Sequence, residues 1–194
     1  IKSTRSCSRS FGLAALRMRW IGAARVGSWP SVIPSPAMIA AGLREAGHRV
    51  GLFTSPHLVE PTERIVVDGR SVTAEEFAEA FAAVHKVAER MMEAGTLDAH
   101  PTYFETVTLM AFWWFAKAEV DWAVIEVGLG GRLDATNIVE PQLCVITPVD
   151  YDHLEMLGPG LGKIAWEKAG IIKHGRPVVV ARQPDEALEM IERE

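Results

Sequence analysis

Acidic, histidine and hydroxyl side chains follow three apolar segments that have the character of buried strands. Glu126 ends one segment before a glycine-rich run, Asp150–His153 follows the second, and Ser55 with His57 follows the third. A carboxylate beside a glycine turn can bind Mg²⁺ while the backbone approaches a phosphate closely. A neutral imidazole can bind a metal or orient a water molecule, and the Ser55 hydroxyl can face a metal or phosphate. These residue types indicate a metal and phosphate site.

Each candidate also has a purely structural explanation. Glu126 could be a buried acid paired with Arg132, and a loop histidine such as His153 is commonly a surface residue. Lys168 lies in the last turn of a predicted helix, where a cation complements the helix dipole. Glu105 follows Thr102 by three residues, as in a capping box. Taken one at a time, the residues leave both explanations open.

Helical and strand patterns alternate from Ala37 onward. The predicted strands are Val50–Phe53, Arg64–Val67, Trp122–Val127, Leu143–Thr147 and Pro177–Ala181, and the predicted helices are Ala37–Gly47, a long helix after Thr73, Thr102 to about Lys117, and Gly162–Gly170. Helices that alternate with unbroken apolar strands predict a parallel sheet covered on both faces. Such sheets carry their chemistry where loops leave the carboxyl ends of the strands. We therefore expect Ser55, Glu126 and Asp150–His153 to meet at one edge.

Composition places the chain among globular proteins. It has 194 residues, 48% of them hydrophobic and 23% charged, and a net charge of −5, which together exclude a disordered or fibrous protein. Cys7 and Cys144 provide neither a disulfide framework nor metal-site spacing, which favours a reducing, intracellular environment. The longest strongly apolar run, Leu109–Ala116, is too short to span a bilayer.

The amino-terminal part of the chain has a different charge. Residues 1–44 contain seven Lys and Arg residues and no acidic residue, and the chain opens with Ile1. Such a segment can be a transit peptide, a nucleic-acid-binding arm or a segment that is not the native start of the protein. The third explanation is favoured. We expect residues 1–36 to be an atypical basic leader, non-native or disordered, and residues 37–194 to form the folded domain.

Six segments carry a resemblance to one known family. They are Thr-Ser-Pro-His-Leu at 54–58, Thr-Glu-Arg-Ile at 62–65, Tyr-Phe-Glu at 103–105, Glu-Val-Gly-Leu-Gly-Gly-Arg-Leu-Asp-Ala-Thr-Asn at 126–137, Asp-His at 152–153 and Glu-Lys-Ala-Gly-Ile-Ile-Lys at 167–173. In order and spacing they resemble the folylpolyglutamate synthase/dihydrofolate synthase family of the Mur ligase superfamily. The resemblance implies an α/β fold of the P-loop-NTPase type, with a mostly parallel sheet flanked by helices, like an incomplete Mur ligase central domain.

The resemblance also implies an activity. Members of the family use ATP to phosphorylate a carboxylate of dihydropteroate or of the terminal glutamate of a folate, and L-glutamate then displaces the phosphate to form an amide. ATP would be the co-substrate and Mg²⁺ the cofactor, with no nucleic acid or membrane as partner. A cytoplasmic, monomeric protein is the corresponding expectation.

Site roles carry over by resemblance, residue by residue. Glu126 and His153 would be Mg²⁺ ligands, Ser55 would be a further ligand or support one, and Lys168 would be carbamylated and would bridge to the metal. Glu126, His153 and Lys168 would thus form the catalytic centre. The residues that would line the pteridine pocket are Thr102, Tyr103, Phe104, Glu105, Leu133, Asp134 and Ala135.

The sequence departs from the family at the phosphate-binding loop. The family carries Gly-Thr-Asn-Gly-Lys-Gly-Ser-Thr before its first helix, but residues 28–35 read Ser-Trp-Pro-Ser-Val-Ile-Pro-Ser. Val32 replaces the lysine that reaches the β- and γ-phosphates, Pro34 replaces the magnesium-binding hydroxyl, and prolines lack the N–H groups that cradle phosphate. A frameshift, a chimeric junction or a wrongly assigned gene start would explain this.

The family's smaller carboxyl-terminal domain is also expected to be absent, since the chain stops at Glu194. We therefore expect the chain alone to be inactive. A non-catalytic pterin- or folate-binding remnant is the main alternative. A Mur ligase that acts on a cell-wall precursor is another, although the motifs at 55–58 and 133–137 favour the folate branch.

Overall fold

The computed structural model describes residues 18–24, 35–151, 157 and 160–194. Residues 28–34 of the expected phosphate-binding position and His153 lie outside the described residues. The strands are β1 (Arg19–Ala24), β2 (Val50–Phe53), β3 (Ile65–Val67), β4 (Arg70–Ser71), β5 (Trp122–Glu126), β6 (Leu143–Ile146) and β7 (Val178–Val180). The α-helices of the described residues are α1 (Ser35–Glu45), α2 (Ala74–Glu93), α3 (Tyr103–Lys117), α4 (Leu161–Ala169) and α5 (Asp185–Glu192), with 3₁₀ turns at Pro61–Arg64 and Ala135–Ile138.

The seven strands of the described residues join one sheet in the order β4-β3-β2-β5-β1-β6-β7. Strands β2, β5, β1, β6 and β7 run parallel, whereas β3 and β4 add an antiparallel hairpin at one edge. The hairpin turns at Asp68 and Gly69, whose φ angles of 52° and 82° are of the left-handed kind. The α/β fold with a mostly parallel sheet between helices is thus confirmed.

Strand β1 corrects the expectation for the amino-terminal segment. Residues 19–24 of the expected leader are not disordered, because they form the strand that lies between β5 and β6, whereas a non-native origin of residues 1–36 stays a prediction. Ile21 pairs with both Val124 and Leu143, so β1 has a neighbour on each side. Helix α1 likewise begins at Ser35, inside the range assigned to the leader. The prediction relied on the basic composition of the whole amino-terminal segment. The short strand Arg19–Ala24 has one charged residue, at its first position, and its other residues are uncharged.

Helices cover both faces of the sheet. Along β5, Ala123 and Ile125 pack into the core beneath α2 and α3, whereas Val124 packs with α1 on the other face. The first core is closely packed. The ring of Phe115 in α3 lies so near Gly51 of β2 that a Cβ added at Gly51 would be only 2.6 Å from the ring. A second core, around Ile146, Ile164, Ala165 and Ile191, holds α4 and α5 against β6.

The local rules that predicted α2 and α3 are visible in the structure. Thr73 and Thr102 are the N-cap residues, and Glu76 and Glu105 complete the two capping boxes. Helix α5 was not predicted, although Asp185 and Glu186 in its first turn complement the helix dipole. None of the helices in the described residues has both the length and the apolar composition that crossing a membrane requires.

Candidate active site

The carboxyl edge of the sheet brings Ser55 and Glu126 together. Ser55 follows β2, Glu126 is the last residue of β5, and these two strands are neighbours. The Ser55 N–H donates to Glu126 Oε2 at 2.9 Å, and Glu126 is only 1% exposed. The expectation that these two loops converge is therefore correct. A buried carboxylate that is oriented by a backbone N–H can accept a cation with little rearrangement.

The glycine-rich loop after β5 is closed by one carboxylate. Asp134 Oδ2 accepts hydrogen bonds from the N–H groups of Gly128 and Leu129 at 3.1 and 3.0 Å, and Oδ1 accepts one from Thr136 N at 2.9 Å. Gly130 has a φ of 64°, which a residue with a side chain rarely adopts. Asp134 therefore holds the loop in shape as well as lining a cavity.

This loop packs directly against the carboxyl end of α4. Arg132 N donates to Glu167 O at 2.8 Å, and a Cβ at Gly131 would lie 2.8 Å from the same oxygen. Lys168 lies in the last turn of α4, as predicted, and is 4% exposed. Burial of a charged lysine is costly unless its charge is compensated, so Lys168 does not have the position of an exposed surface cation at a helix end. The loop and Lys168 thus form one packed unit.

Arg132 has partners that the sequence analysis did not anticipate. Its Nη2 donates to Glu194 Oε2 at 2.7 Å and to Trp166 O at 3.1 Å, and its guanidinium lies 3.8 Å from the Trp166 ring centre. The hydrogen bond to Glu194 raises the pKa of Arg132 above its usual value. The contacts seen for Arg132 therefore join the glycine-rich loop to α4 and to the end of the chain, rather than to Glu126 as the structural alternative required.

A cavity of about 350 Å³ lies between the start of α3 and the glycine-rich loop. Six of the seven residues expected to line a pteridine pocket line this cavity: Thr102, Phe104, Glu105, Leu133, Asp134 and Ala135. Tyr103 does not line it. Its side chain is 56% exposed and lies beneath the Arg64 guanidinium, 5.5 Å from the ring centre. At the start of a helix, successive side chains point in different directions, so one member of a contiguous motif faces away from the cavity.

A second cavity of similar size, about 350 Å³, adjoins the first on the side of Ser55. Both cavities are lined by Phe104, Leu129 and Asp134. Arg64 lines the second cavity, is 7% exposed, and donates from Nε to His57 Nδ1 at 2.8 Å. Arg64 belongs to the motif at 62–65, but the resemblance implied no role for it. A buried guanidinium beside a cavity is suited to a carboxylate or phosphate group.

The loop that carries Ser55 is held by Glu63. The Glu63 carboxylate accepts hydrogen bonds from the N–H groups of Leu58, Val59 and Glu60 at 2.8–3.1 Å. The bonds from Glu60 and Leu58 are the main causes that lower the pKa of Glu63. The motif at 62–65 therefore supports the one at 54–58, which explains why the two occur together.

Glu105 provides a pH-dependent contribution to stability. Its carboxylate accepts hydrogen bonds from the Thr102 hydroxyl and N–H, both at 2.7 Å, and the bond from the hydroxyl is the largest cause that lowers the pKa of Glu105. A lowered folded-state pKa means that the stabilisation is present above the unfolded value of 4.5 and is lost as the pH falls below it.

We expect Glu105→Gln to lower the free energy of unfolding by about 0.3–1 kcal/mol at pH 7, because a carboxylate favours a helix N-terminus more than an amide does. At pH 3 the difference should be smaller, because the stabilisation is lost as the pH falls from 4.5 through the lowered folded-state pKa. Urea unfolding of the parent and the variant at pH 7 and at pH 3, followed by circular dichroism, measures this difference in the free energy of unfolding. Glu93→Gln, at the far end of α2, is the control. An equal loss at both pH values would contradict the assignment.

Oxygen donors at the sheet edge fit a hard divalent cation. The Glu126 carboxylate and the Ser55 hydroxyl belong to neighbouring loops that are already joined by a hydrogen bond, and Mg²⁺ prefers oxygen ligands with one or two carboxylates among them. His153, the third expected ligand, belongs to a segment outside the described residues. Strand β1 lies between β5 and β6, and its Ala23 pairs with Glu126 near the same edge of the sheet.

Comparison with known proteins was made by sequence and by structure. No family model matches the chain. A folylpolyglutamate synthase of Arabidopsis thaliana is 48% identical over 152 residues, which are 77% of this chain and 26% of that protein. A dihydrofolate synthase/folylpolyglutamate synthase of Bacillus subtilis (strain 168) is 44% identical over 159 residues, 81% of this chain and 36% of that protein.

Solved structures agree with the sequence relatives. The FPGS–AMPPCP complex and the FPGS–AMPPCP–folate complex superpose with TM-scores of 0.87 and 0.86, each at 35% identity over 95% of this chain. The chain covers 45% and 44% of those two structures, and about a quarter to a third of the two sequence relatives. The motifs, the sheet order and these similarities agree: the chain belongs to the folylpolyglutamate synthase/dihydrofolate synthase family.

Proposed function

We propose that the whole protein is an ATP-dependent ligase that adds L-glutamate to dihydropteroate or to the γ-carboxylate of a folylpolyglutamate. An acyl phosphate would be the intermediate. The observation that supports this most is the 350 Å³ cavity, because residues from two separate motifs line it and the adjoining cavity is lined by Ser55, whose N–H donates to the buried Glu126. A cytoplasmic, monomeric protein remains part of the prediction.

The described residues suit the alignment of two substrates. The cavity beneath Leu133 and Phe104 would hold a flat pteridine ring, with Phe104 closely packed over Gly128. Arg64 would face the acidic part of the substrate. Glu126 and Ser55, with His153, would hold Mg²⁺, which when bound neutralises charge on the transferred phosphoryl group. Holding two reactants in register accounts for a large part of the barrier reduction in such reactions.

Lys168 would complete the site as a carbamate. Carbamylation would convert its cation into a carboxylate-like group, and burial at the end of α4 would protect the product from hydrolysis. Intact-mass measurement under CO₂-rich buffer, with Lys168→Arg as control, tests this. A mass increase that persists in the variant would contradict the assignment to Lys168.

We expect the 194-residue chain itself to form no γ-glutamyl product, because residues 28–35 contain neither the lysine nor the hydroxyl that bind nucleotide phosphates. The chain is incubated with ATP, Mg²⁺, L-glutamate and dihydropteroate or tetrahydrofolate, and products are measured by mass spectrometry. A matched variant replaces residues 28–35 by Gly-Thr-Asn-Gly-Lys-Gly-Ser-Thr. This variant should gain Mg²⁺-dependent ATP binding by calorimetry. Product from the unmodified chain, or no ATP binding by the variant, would contradict the proposal.

A non-catalytic folate-binding protein is the second candidate. Two observations favour it. The cavity between α3 and the glycine-rich loop is present, whereas the sequence at 28–35 cannot cradle phosphate. Folate binding that is tight and indifferent to Mg-ATP would support this candidate over the ligase.

A further inference from the structure

Three metal-binding side chains meet on the surface formed by α2 and the segment that leads into α3. His85, Glu89 and His100 each contribute one ligand atom, and these atoms all lie within 4.8 Å of one another. Glu89 Oε1 lies 3.7 Å from His85 Nε2 and 3.2 Å from His100 Nε2. In the described residues, this is the one group of three or more His, Cys, Asp and Glu side chains with such spacing. None of the three belongs to the site discussed above.

The backbone holds these three side chains in register. His85 and Glu89 are four residues apart in the 20-residue helix α2, so they lie on the same face one turn apart. After α2, the N–H groups of Thr96 and Leu97 and the Thr96 hydroxyl all donate to Met91 O, at 2.9, 3.2 and 3.0 Å. This turn brings the chain back along the helix and sets His100 beside Glu89.

Ring stacking orients the two imidazoles. The His85 ring stacks on Phe81 at 5.3 Å between ring centres and 9° between planes, and on His100 at 5.9 Å and 22°. Pro101 follows His100 and restricts its backbone. A row of Phe81, His85 and His100 therefore stands beside one carboxylate. Stacking therefore places the two imidazole ligands side by side, next to the Glu89 carboxylate.

The distances match those of a zinc-type ion. In a tetrahedral site with bonds of about 2.0–2.1 Å, ligand atoms lie about 3.4 Å apart. The two distances from Glu89 Oε1, 3.2 and 3.7 Å, lie on either side of that value. The two imidazole nitrogens lie within 4.8 Å of each other, and small rotations of the three half-exposed side chains would bring the ligand atoms to tetrahedral spacing.

We propose that His85, Glu89 and His100 form a binding site for a transition-metal dication of the Zn²⁺ class. Two imidazoles and one carboxylate are ligands that Zn²⁺ accepts, with a fourth position for water, whereas Mg²⁺ and Ca²⁺ prefer all-oxygen sites. A bound ion would link α2 to His100, which lies two residues before Thr102. It therefore differs in place and in chemistry from the Mg²⁺ site proposed at Glu126, and it does not depend on glutamate ligation.

The test is a calorimetric Zn²⁺ titration of the 194-residue chain in an excess of Mg²⁺, which occupies oxygen sites. The chain carries Cys7→Ser, so that the Cys7 thiol cannot compete for Zn²⁺. Cys144 needs no replacement, because it is buried and burial raises the pKa of its thiol to about 11. We expect saturable binding of one Zn²⁺, which His85→Ala and His100→Ala each weaken by about tenfold or more.

His174→Ala is the matched control, since His174 is also exposed but lies far along the chain in the turn before β7. Its Zn²⁺ affinity should equal that of the parent. The visible spectrum of the Co²⁺ form, which reports imidazole coordination, gives a second readout and should change with His85→Ala and with His100→Ala but not with His174→Ala. The proposal is overturned if no saturable Zn²⁺ binding occurs. It is also overturned if the His85→Ala and His100→Ala chains bind Zn²⁺ as tightly as the His174→Ala chain does.

Discussion

Gly131→Ala is expected to lower the free energy of unfolding by about 1–3 kcal/mol, the usual cost of overpacking. The added Cβ would lie 2.8 Å from Glu167 O and 3.0 Å from Lys168 O. Both atoms belong to the backbone of α4, which cannot rotate away as a side chain can. The glycine-rich loop would have to separate from the carboxyl end of α4, and the Arg132 N–H to Glu167 O hydrogen bond would lengthen.

Urea unfolding of the parent chain and the variant, followed by circular dichroism, measures this loss. Gly42→Ala is the matched control, because Gly42 lies within α1 and a Cβ there would meet nothing within 4 Å. That substitution should raise the free energy of unfolding by about 0.5–1 kcal/mol through helix propensity. Equal effects of the two substitutions would mean that the loop does not pack on α4 as described.

Phe115→Ala should have the largest effect on stability, lowering the free energy of unfolding by about 3–5 kcal/mol. Phe115 is fully buried in the core between α3 and the sheet, and its ring occupies the space above Gly51. Loss of the Phe115 ring would leave a cavity between α3 and β2, because this ring fills the space between the helix and the strand. Because α3 carries Thr102 and Glu105, the pocket proposed to bind the pteridine ring should widen as well.

Thermal and urea unfolding measure the first effect, and folate affinity by calorimetry measures the second. Phe81→Ala removes the same side chain from the surface of α2, where Phe81 is 46% exposed, and should cost about 1 kcal/mol or less. A Phe115→Ala chain as stable as the Phe81→Ala chain would show that α3 is packed differently from the description above.

Much of the fold was predictable because it depends on local rules. The Thr-x-x-Glu pattern at Thr73 and Thr102 placed the starts of α2 and α3, and unbroken apolar runs placed β2, β5 and β6. Strand β1 was missed for a physical reason. Its residues, Arg-Trp-Ile-Gly-Ala-Ala, lack β-branched side chains except for Ile21, and only the pairing with β5 and β6 makes them a strand.

The candidate site was predicted in part for the same reason. Contiguous motifs identified the lining of the first cavity, but they did not reveal that Tyr103 faces Arg64 instead. Arg132 and Glu194 are 62 residues apart, and no local pattern predicts that they pair. Side-chain direction and distant ion pairs depend on the assembled tertiary structure, which spacing along the chain does not encode.

The central place of β1 determines when the sheet can be completed during synthesis. Arg19 pairs with Trp122 and Ile21 with Leu143, partners that the ribosome adds about 100 residues later. Contacts between residues so distant in sequence form slowly, whereas the β2–β3–β4 hairpins and the α2–α3 pair can form early. A nascent chain that stops short of Leu143 would carry β1 with an open edge, so β1, which precedes the other strands of the described residues, is among the last to become fully paired.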